Sequence, residues 1–250
     1  MEIQENRDST KRMLMYIIVF AITMLFAGFI SAYIVSSMGQ YWMHITPPNL
    51  IIASNIIIVV SSLTVWLALK AIRAGAEKKS LFLLFLTLIL GVSFAVTQYK
   101  GWSELDGMGF GGKILETEAG KKGSWNRLET VLNNENAIYG EDYEIKVDGQ
   151  ALIFDVETKE LYAPNDSLKR VPITNEVEVL TNSSSGYMAV IIVMHILHLV
   201  LGLIYLVVNI RRVNDGVINT ENNVQIEALG IYWHFLGGLW LVLFFILFSV

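Results

Sequence analysis

Five apolar stretches dominate the chain, and polar segments separate them. They cover residues 13–36, 49–69, 80–99, 187–210 and 229–250, and none contains Asp, Glu, Lys or Arg. At 1.5 Å per residue, each is long enough to cross about 30 Å of hydrocarbon. Buried helices of a soluble protein are rarely uncharged around their whole circumference. The pattern therefore predicts an all-α membrane bundle of five transmembrane helices, the first of which is too long for a cleavable signal peptide.

Basic residues close to the apolar stretches predict the orientation of the bundle. They lie before the first stretch, between the second and third, and after the fourth: Arg7, Lys11, Arg12, Lys70, Arg73, Lys78, Lys79, Arg211 and Arg212. The other side holds an uncharged loop at 37–48, the long segment 101–185 and the C-terminus. We expect the N-terminus in the cytoplasm, and the long segment and the C-terminus outside.

The segment 101–185, called the acidic insertion below, divides the chain into 1–100 with three helices and 186–250 with two. It holds 16 of the 23 acidic residues and 8 basic ones. Its glycines predict a flexible exit loop: Gly101, Gly107, Gly109, Gly111, Gly112, Gly120 and Gly123. Runs at 143–147 and 150–156 flank Asp148-Gly149, a hairpin signal, and 160–162 adds a third strand. The prediction is a small, partly β, extracytoplasmic insertion, with an extended loop on a partner as the alternative.

The amino-acid composition excludes several kinds of functional site. The chain has no cysteine, so it has no disulfide, thiolate metal site or iron–sulfur cluster. Only 16% of the residues are charged and the mean hydropathy is +0.51, as in a membrane protein. The net charge of −5 gives no reason to expect nucleic-acid binding.

Three of the four histidines lie in the predicted helices. His195 and His198 share one helix face, which Gly202 continues, and His234 follows Trp233 in the last helix. One interpretation is haem or metal ligation by neutral imidazole. The other is hydrogen bonding between helices or to lipid head groups, which the lack of a carboxylate within the spans favours.

Gln98 and Trp102 near the end of the third stretch are read either as interfacial anchors or as bundle residues. The sequence contains no Ser/His/Asp triad, phosphate loop or dinucleotide fingerprint. We expect no active site and no cofactor in this chain.

The last two stretches resemble subunit III of the haem-copper oxidases. The family's His-Gly-x-His-Val motif with a following Gly is matched by His195, Ile196, Leu197, His198, Leu199 and Gly202. Its final-helix pattern is matched by Glu227, Ala228, Tyr232, Trp233, His234, Phe235 and Trp240. Looser matches lie in the first three stretches: Phe26, Ala27, Gly28, Asn55, Ser61, Ser62, Gly91, Phe94 and Gln98.

Departures from the family pattern limit what the resemblance implies. Ala21-Ile22 stands where the family commonly has Ser-Glu, so the role of that intramembrane carboxylate is not transferred. Gly101 replaces a Glu, Gly237 an Asp, and Ile192-Val193 a Thr-Gly. The 85-residue acidic insertion is also much longer than the family's usual connection.

The resemblance implies a non-catalytic subunit of a bacterial inner-membrane oxidase. Such a subunit packs beside the catalytic subunit I and other subunits, which carry the haem and copper, binds phospholipid and supports proton uptake and turnover. The residues it marks as lipid-binding or structural are His195, His198, Arg212, Glu227, Trp233 and His234. Arg212 suits a lipid phosphate, although simple anchoring at the membrane surface explains Arg211-Arg212 equally well.

Other functions remain open at the sequence level. The chain also fits a subunit-III-like partner of a quinol oxidase or nitric oxide reductase. A small transporter is disfavoured by five uncharged, unduplicated spans, and a membrane-bound haem protein lacks a second histidine pair. For the acidic insertion, we expect docking or steering of a cytochrome c or a neighbouring respiratory complex, against a solvated loop without a partner.

Overall fold

A computed structural model of the chain describes residues 2–38, 41–110 and 128–249. The protein is mostly helical. In these ranges five helices are long and apolar enough to cross a membrane: Asp8–Ser37, Asn49–Arg73, Glu77–Gly107, Tyr187–Asn214 and Val224–Ser249. This confirms the predicted number of apolar helices and a multi-pass membrane protein.

The helices extend beyond the apolar stretches at most of their ends. They are α1 (Glu2–Ser37), α2 (Asn49–Arg73), α3 (Glu77–Gly107), α4 (Leu128–Leu132), α5 (Thr174–Asn214) and α6 (Val224–Ser249). Hydropathy marks only the part of a helix that avoids water, whereas backbone hydrogen bonding continues into polar sequence. The largest extension is the start of α5, which lies 13 residues before Tyr187.

Two compact units divide the chain. The first, called the helical unit, comprises Met1–Ala27, Ile52–Gln98 and Val193–Leu243. Its core packs Val65 and Ile72 of α2, Leu84 of α3, Leu206 of α5 and Trp233 of α6. Buried polar side chains bond within it, since Thr64 and Thr87 hydroxyls lie 2.8 Å apart.

A left-handed glycine makes the tight connection between α2 and α3. Gly75 has a φ of 74°, and its N–H donates to the carbonyl of Ile72. Ala76 N–H donates back to the carbonyl of Ala71. These bonds satisfy carbonyls at the end of α2, and glycine adopts this conformation without steric cost.

The second unit, called the mixed unit, comprises Gly28–Ile51, Tyr99–Ile192 and Phe244–Val250. It contains two small sheets. Strands β1 (Trp42–Ile45), β2 (Tyr143–Val147) and β3 (Gln150–Ala151) form one, and β4 (Ile153–Asp155) and β5 (Glu160–Tyr162) form the other, with every neighbouring pair antiparallel. We call β1 together with residues 128–173 the β module.

The predicted hairpin is present, with its turn at the expected dipeptide. Asp148 and Gly149 have φ angles of 49° and 77°, the left-handed pair that a two-residue hairpin requires. The run 150–156 is not one strand, however, because it divides between the two sheets at Leu152. The N–H of Leu152 donates to the carbonyl of Ile145, and its own carbonyl accepts from the Tyr139 hydroxyl.

The prediction of a loop at 37–48 was wrong in part, because this segment contains the strand β1. Trp42, Met43, His44 and Ile45 pair with Lys146, Ile145, Glu144 and Tyr143. Three of the four β1 side chains are buried, among them Trp42, which packs edge-on against Tyr33 with ring centres 5.2 Å apart. A four-residue strand whose partner is about a hundred residues away leaves no local signal.

The prediction of a flexible exit loop from Gly101 onward was also wrong for its first residues, which are helical. α3 continues through Gly101 to Gly107, and the turn that follows contains Gly109. A Cβ at residue 101 would collide with the side chain of Ile51, so close packing explains a glycine inside the helix. Gly111, Gly112, Gly120 and Gly123 lie outside the described residues.

Candidate functional site: the polar and aromatic layer of the helical unit

Side-chain hydrogen bonds join α2 to α6 in the helical unit. The indole N–H of Trp240 donates to Asn55 Oδ1 at 3.0 Å, and that of Trp233 donates to Ser61 Oγ at 2.9 Å. Ser62 Oγ bonds His234 Nδ1. Because hydrocarbon supplies no hydrogen-bonding partner, polar groups within a span are satisfied by each other. These bonds fix which faces of α2 and α6 meet.

Trp233 occupies a slot made by two glycines. A Cβ at Gly91 on α3 would lie 3.0 Å from the Trp233 ring and 3.0 Å from Leu203. A Cβ at Gly202 on α5 would lie 3.0 Å from Tyr232 and 3.5 Å from Trp233. The 3.0 Å distances are tighter than most Cβ contacts in proteins, so the missing side chain at Gly91 makes room for the indole and that at Gly202 makes room for Tyr232.

His195 is buried among aromatic rings. Its side chain is 2% exposed, and its ring centre lies 5.0 Å from that of Trp240 and 6.5 Å from that of Phe94. Phe94 and Trp240 also contact each other edge-on, at 5.7 Å. Nδ1 of His195 has no hydrogen-bond partner among the described residues. The ring therefore belongs to an aromatic cluster that joins α3, α5 and α6.

His198 serves a different contact. Its Nδ1 lies 2.6 Å from the carbonyl oxygen of Met194, and its ring packs edge-on against Phe26 of α1 at 5.6 Å. Its backbone carbonyl accepts the hydroxyl of Tyr232 at 2.8 Å. The two histidines of α5 thus face different neighbours. In the described part of the chain, no group of three or more His, Asp or Glu side chains is placed to hold a metal ion.

Gln98 is a bundle residue rather than an exposed anchor. Its side chain is buried, and Nε2 donates to Ser54 Oγ on α2. Trp102, in the mixed unit, stacks on Phe248 with ring centres 6.2 Å apart. Of the two interpretations that the sequence left open for Gln98, the structure therefore supports the bundle residue, because Ser54 on α2 bonds its amide.

A charged cluster gathers at one end of the helical unit. Glu227, in the first turn of α6, accepts from Arg12 of α1 at 3.3 Å and from Arg73 of α2 at 3.0 Å. Arg212 of α5 donates to Gln225 Oε1 at 2.8 Å. The sequence marked Glu227 only through the family resemblance, because Arg12 lies 215 residues away along the chain.

His234 lies on the outside of the helical unit, although it bonds Ser62. The site residues singled out from the sequence therefore fall into three places. His195, His198 and Trp233 are buried, His234 is on the surface of the unit, and Arg212 and Glu227 are in or beside the charged cluster. Sequence reasoning gave Ser54, Asn55 and Ser61 too little weight, since isolated small polar residues in a span carry a weak signal.

Comparison with known proteins does not identify the chain: no family model matches it, and no curated protein is significantly similar to it.

Proposed function

We propose that this chain is the non-catalytic subunit III of a bacterial haem-copper terminal oxidase. The observation that carries the proposal is the contact between the motif residues. Positions that resemble the family on α2, α3, α5 and α6 form one layer in which Asn55 bonds Trp240, Ser61 bonds Trp233, and Phe94 packs on His195. Matches scattered over 185 residues of sequence need not meet in space.

The role that this layer supports is structural. Its polar groups bond to one another, and its histidines face aromatic rings and backbone carbonyls. An arrangement of this kind fixes helix pairing and gives the subunit a rigid shape on which a catalytic partner can pack. Haem and copper are accordingly assigned to partner subunits, above all to subunit I.

Ile22 sets a limit on the proposed contribution to proton uptake. It stands where the family commonly has a carboxylate, and its side chain is buried in the helical unit. A hydrocarbon side chain exchanges no proton. Any support of proton uptake by this subunit therefore acts through lipid or through the shape of the complex rather than through a carboxylate at this position.

The charged cluster is the proposed lipid-facing end. Arg12 and Arg73, which share Glu227, are about half exposed. Arg212 donates to Gln225 in the first turn of α6. Guanidinium groups bind phosphate with charge-assisted, often bidentate hydrogen bonds. We assign this end to the cytoplasmic surface, because the basic segments are concentrated there, and the acidic insertion to the periplasm.

Co-purification from native membranes tests the proposal. The chain carries an affinity tag, and the reduced-minus-oxidised absorbance spectrum of the eluate is recorded after mild solubilisation. A haem-containing oxidase core should elute with the chain, whereas the chain purified alone should show no Soret band. Elution of the intact chain without that core, or one stoichiometric haem on the chain alone, contradicts the proposal.

A double variant examines the layer itself. His195→Leu with His198→Leu should weaken association with the core without changing the haem spectrum of the core that remains. The matched control is Val200→Leu with Ile204→Leu, on the exposed face of the same helix. Loss of a haem signal from an otherwise intact complex shows ligation instead.

A further inference from the structure

His234 is a polar residue on the outer surface of the helical unit, within a helix long and apolar enough to cross a membrane. Its side chain is exposed, and Ser62 Oγ bonds its Nδ1. It lies five residues inside the apolar stretch 229–250, which at 1.5 Å per residue is about 8 Å from the polar end. Polar side chains in a span usually face the interior of a bundle, because hydrocarbon offers them no partner. An outward-facing histidine at this depth therefore indicates a partner outside the chain.

The bond with Ser62 determines what the outer edge of the ring offers. The Ser62 hydroxyl has no other acceptor among the described residues, so it donates its proton to Nδ1 of His234. The proton of the neutral imidazole is then on Nε2. This Nε2–H group is a hydrogen-bond donor, and the part of the chain that the structure describes supplies no acceptor for it. The acceptor must come from another molecule.

The contact between α2 and α6 continues on both sides of this bond in a regular antiparallel register. Ser62 of α2 meets His234 of α6, and a Cβ at Gly237 would lie 3.3 Å from the side chain of Ile58. A step of four residues back along α2 thus corresponds to a step of three residues forward along α6. Residues on the outer sides of the two helices therefore lie side by side.

The exposed residues beside this contact lie on one stripe of each helix. On α2, Val59 and Trp66 flank Ser62 at spacings of three and four residues, and they are 54% and 50% exposed. On α6, Gly238 follows His234 by one turn, and a Cβ there would meet nothing within 4 Å. We call these five residues the outer α2–α6 face. The register places Val59 and Gly238 at the same level, where the missing side chain leaves the face open.

The chemistry of the outer α2–α6 face defines what covers it. Membrane-spanning helices approach one another at small residues and bond through polar ones, and Gly238 lies one turn from His234. Lipid acyl chains carry no acceptor at this depth, so they would leave the Nε2–H group unsatisfied. A second copy packed through the same face would set one Nε2–H donor against another. The occupant is therefore a membrane-spanning helix of a different protein.

We infer that the outer α2–α6 face packs against a membrane-spanning helix of another subunit, which presents an oxygen acceptor to the Nε2–H group of His234. The inference rests on the proposed function only in taking that subunit from the same oxidase assembly. It deepens the proposed function by naming the surface and the hydrogen bond through which the chain associates. The acceptor is a side-chain hydroxyl, amide or carboxyl oxygen, or a backbone carbonyl freed at a helix irregularity.

Site-specific photocrosslinking identifies the occupant in the full chain in native membranes. Val59 is replaced by p-benzoylphenylalanine, and the control carries the same group at Ile89 of α3, which is 61% exposed. Val59 should give an adduct with one membrane polypeptide. Mass spectrometry should place the crosslinked peptide in an apolar helix that carries an oxygen acceptor. An adduct with lipid or quinone alone, a self-adduct, or the same adduct in equal yield from Ile89 overturns the inference.

Two substitutions of His234 test the hydrogen bond, with recovery of the crosslinked polypeptide on the tagged chain after mild solubilisation as the readout. His234→Leu should lower that recovery about three- to tenfold, the size expected of a hydrogen bond between membrane helices. His234→Gln keeps an N–H donor on a flexible side chain and should retain most of the recovery. Equal losses for the two variants contradict the proposed hydrogen bond.

A pair of glycine variants tests the packing in the same assay. A Cβ at Gly238 or at Gly28 of α1 meets nothing within 4 Å, so a side chain at either position has room in the chain itself. Gly238→Leu should lower recovery about tenfold, because it keeps the partner helix at a distance, and Gly28→Leu should leave it unchanged. Equal recovery for the two variants rejects the face.

Absorbance of the same eluates reports the haem core separately. A crosslinked membrane helix that depends on His234 and Gly238, but elutes without haem, refutes the proposed function alone. A haem core that elutes undiminished with both His234→Leu and Gly238→Leu refutes this inference alone.

Discussion

The helical unit and the β module satisfy their buried polar groups in different ways. In the helical unit, side chains of different helices bond each other, as Trp233 bonds Ser61. In the β module, backbone ladders predominate, and single side chains such as Tyr139 bond backbone carbonyls. Helices satisfy their own backbones internally, so side chains must specify which helices meet. Strands obtain that specificity from pairing register, and their side chains add to it.

The comparison predicts that single large side chains matter most in the helical unit. Trp233→Ala removes an indole that fills the slot between Gly91 and Gly202 and also donates to Ser61. We expect a loss of about 3–5 kcal/mol in the free energy of unfolding, the usual cost of a large buried aromatic. Denaturation of the detergent-solubilised chain measures it. The control, Trp66→Ala, removes a half-exposed indole and should cost far less; similar losses would contradict the slot.

A glycine of the slot, compared with a glycine in open space, gives a second test, in which the sign of the change in stability decides. Gly91→Ala places a Cβ 3.0 Å from both Trp233 and Leu203 and should destabilise by about 1–2 kcal/mol. Gly238→Ala meets nothing within 4 Å and should stabilise α6 by about 0.5–1 kcal/mol, since alanine is the better helix former. Melting of both variants is compared with that of the parent. Stabilisation by Gly91→Ala would show that Trp233 is not confined.

Removal of one hydroxyl group in the β module should lower stability by a smaller amount. The Tyr139 hydroxyl donates to the carbonyl of Leu152 at 2.9 Å, at the point where the two sheets meet. Burial raises the pKa of Tyr139 above its ordinary value, so this donor stays protonated. Tyr139→Phe should cost about 1 kcal/mol locally, seen as faster hydrogen exchange in β2 and β4. Tyr99→Phe, at an exposed tyrosine, should leave exchange in those strands unchanged.

The sequence predicted elements well where one local signal suffices. The apolar runs marked the helices, and Asp148-Gly149 marked the hairpin turn. Long-range pairing carried no such signal. Trp42–Ile45 is a strand through its pairing with β2, and residue 101 is a glycine inside α3 where Ile51 leaves no room for a Cβ. Within the candidate site, the sequence singled out the histidines because of their side-chain chemistry. It did not predict the Arg12–Glu227 ion pair, which depends on a contact between chain segments far apart.

The smallest predicted effect concerns pH and the pairing of β1 with β2. His44 lies opposite Glu144, with Lys146 two residues further along β2 and ion-paired to Glu144 at 3.1 Å. Burial and then Lys146 lower the pKa of His44, while Glu144 opposes them. A histidine whose pKa is lower folded than unfolded gives stability that is complete above its unfolded value of about 6.5, and that stability is lost as pH falls below it. Strand β1 should therefore open more readily at pH 5 than at pH 7.

Hydrogen exchange of the Trp42–Ile45 amides, corrected for the intrinsic pH dependence of exchange, measures this opening. His44→Gln keeps a polar side chain that does not titrate, so the difference between pH 7 and pH 5 should shrink. The helical unit provides an internal reference, since the α3 amides should respond equally in both proteins. If the parent and His44→Gln show the same pH dependence in β1, another group controls the strand. If β1 is more protected at pH 5 than at pH 7, the attraction of Glu144 for the protonated ring outweighs burial, and folding raises the pKa of His44 instead of lowering it.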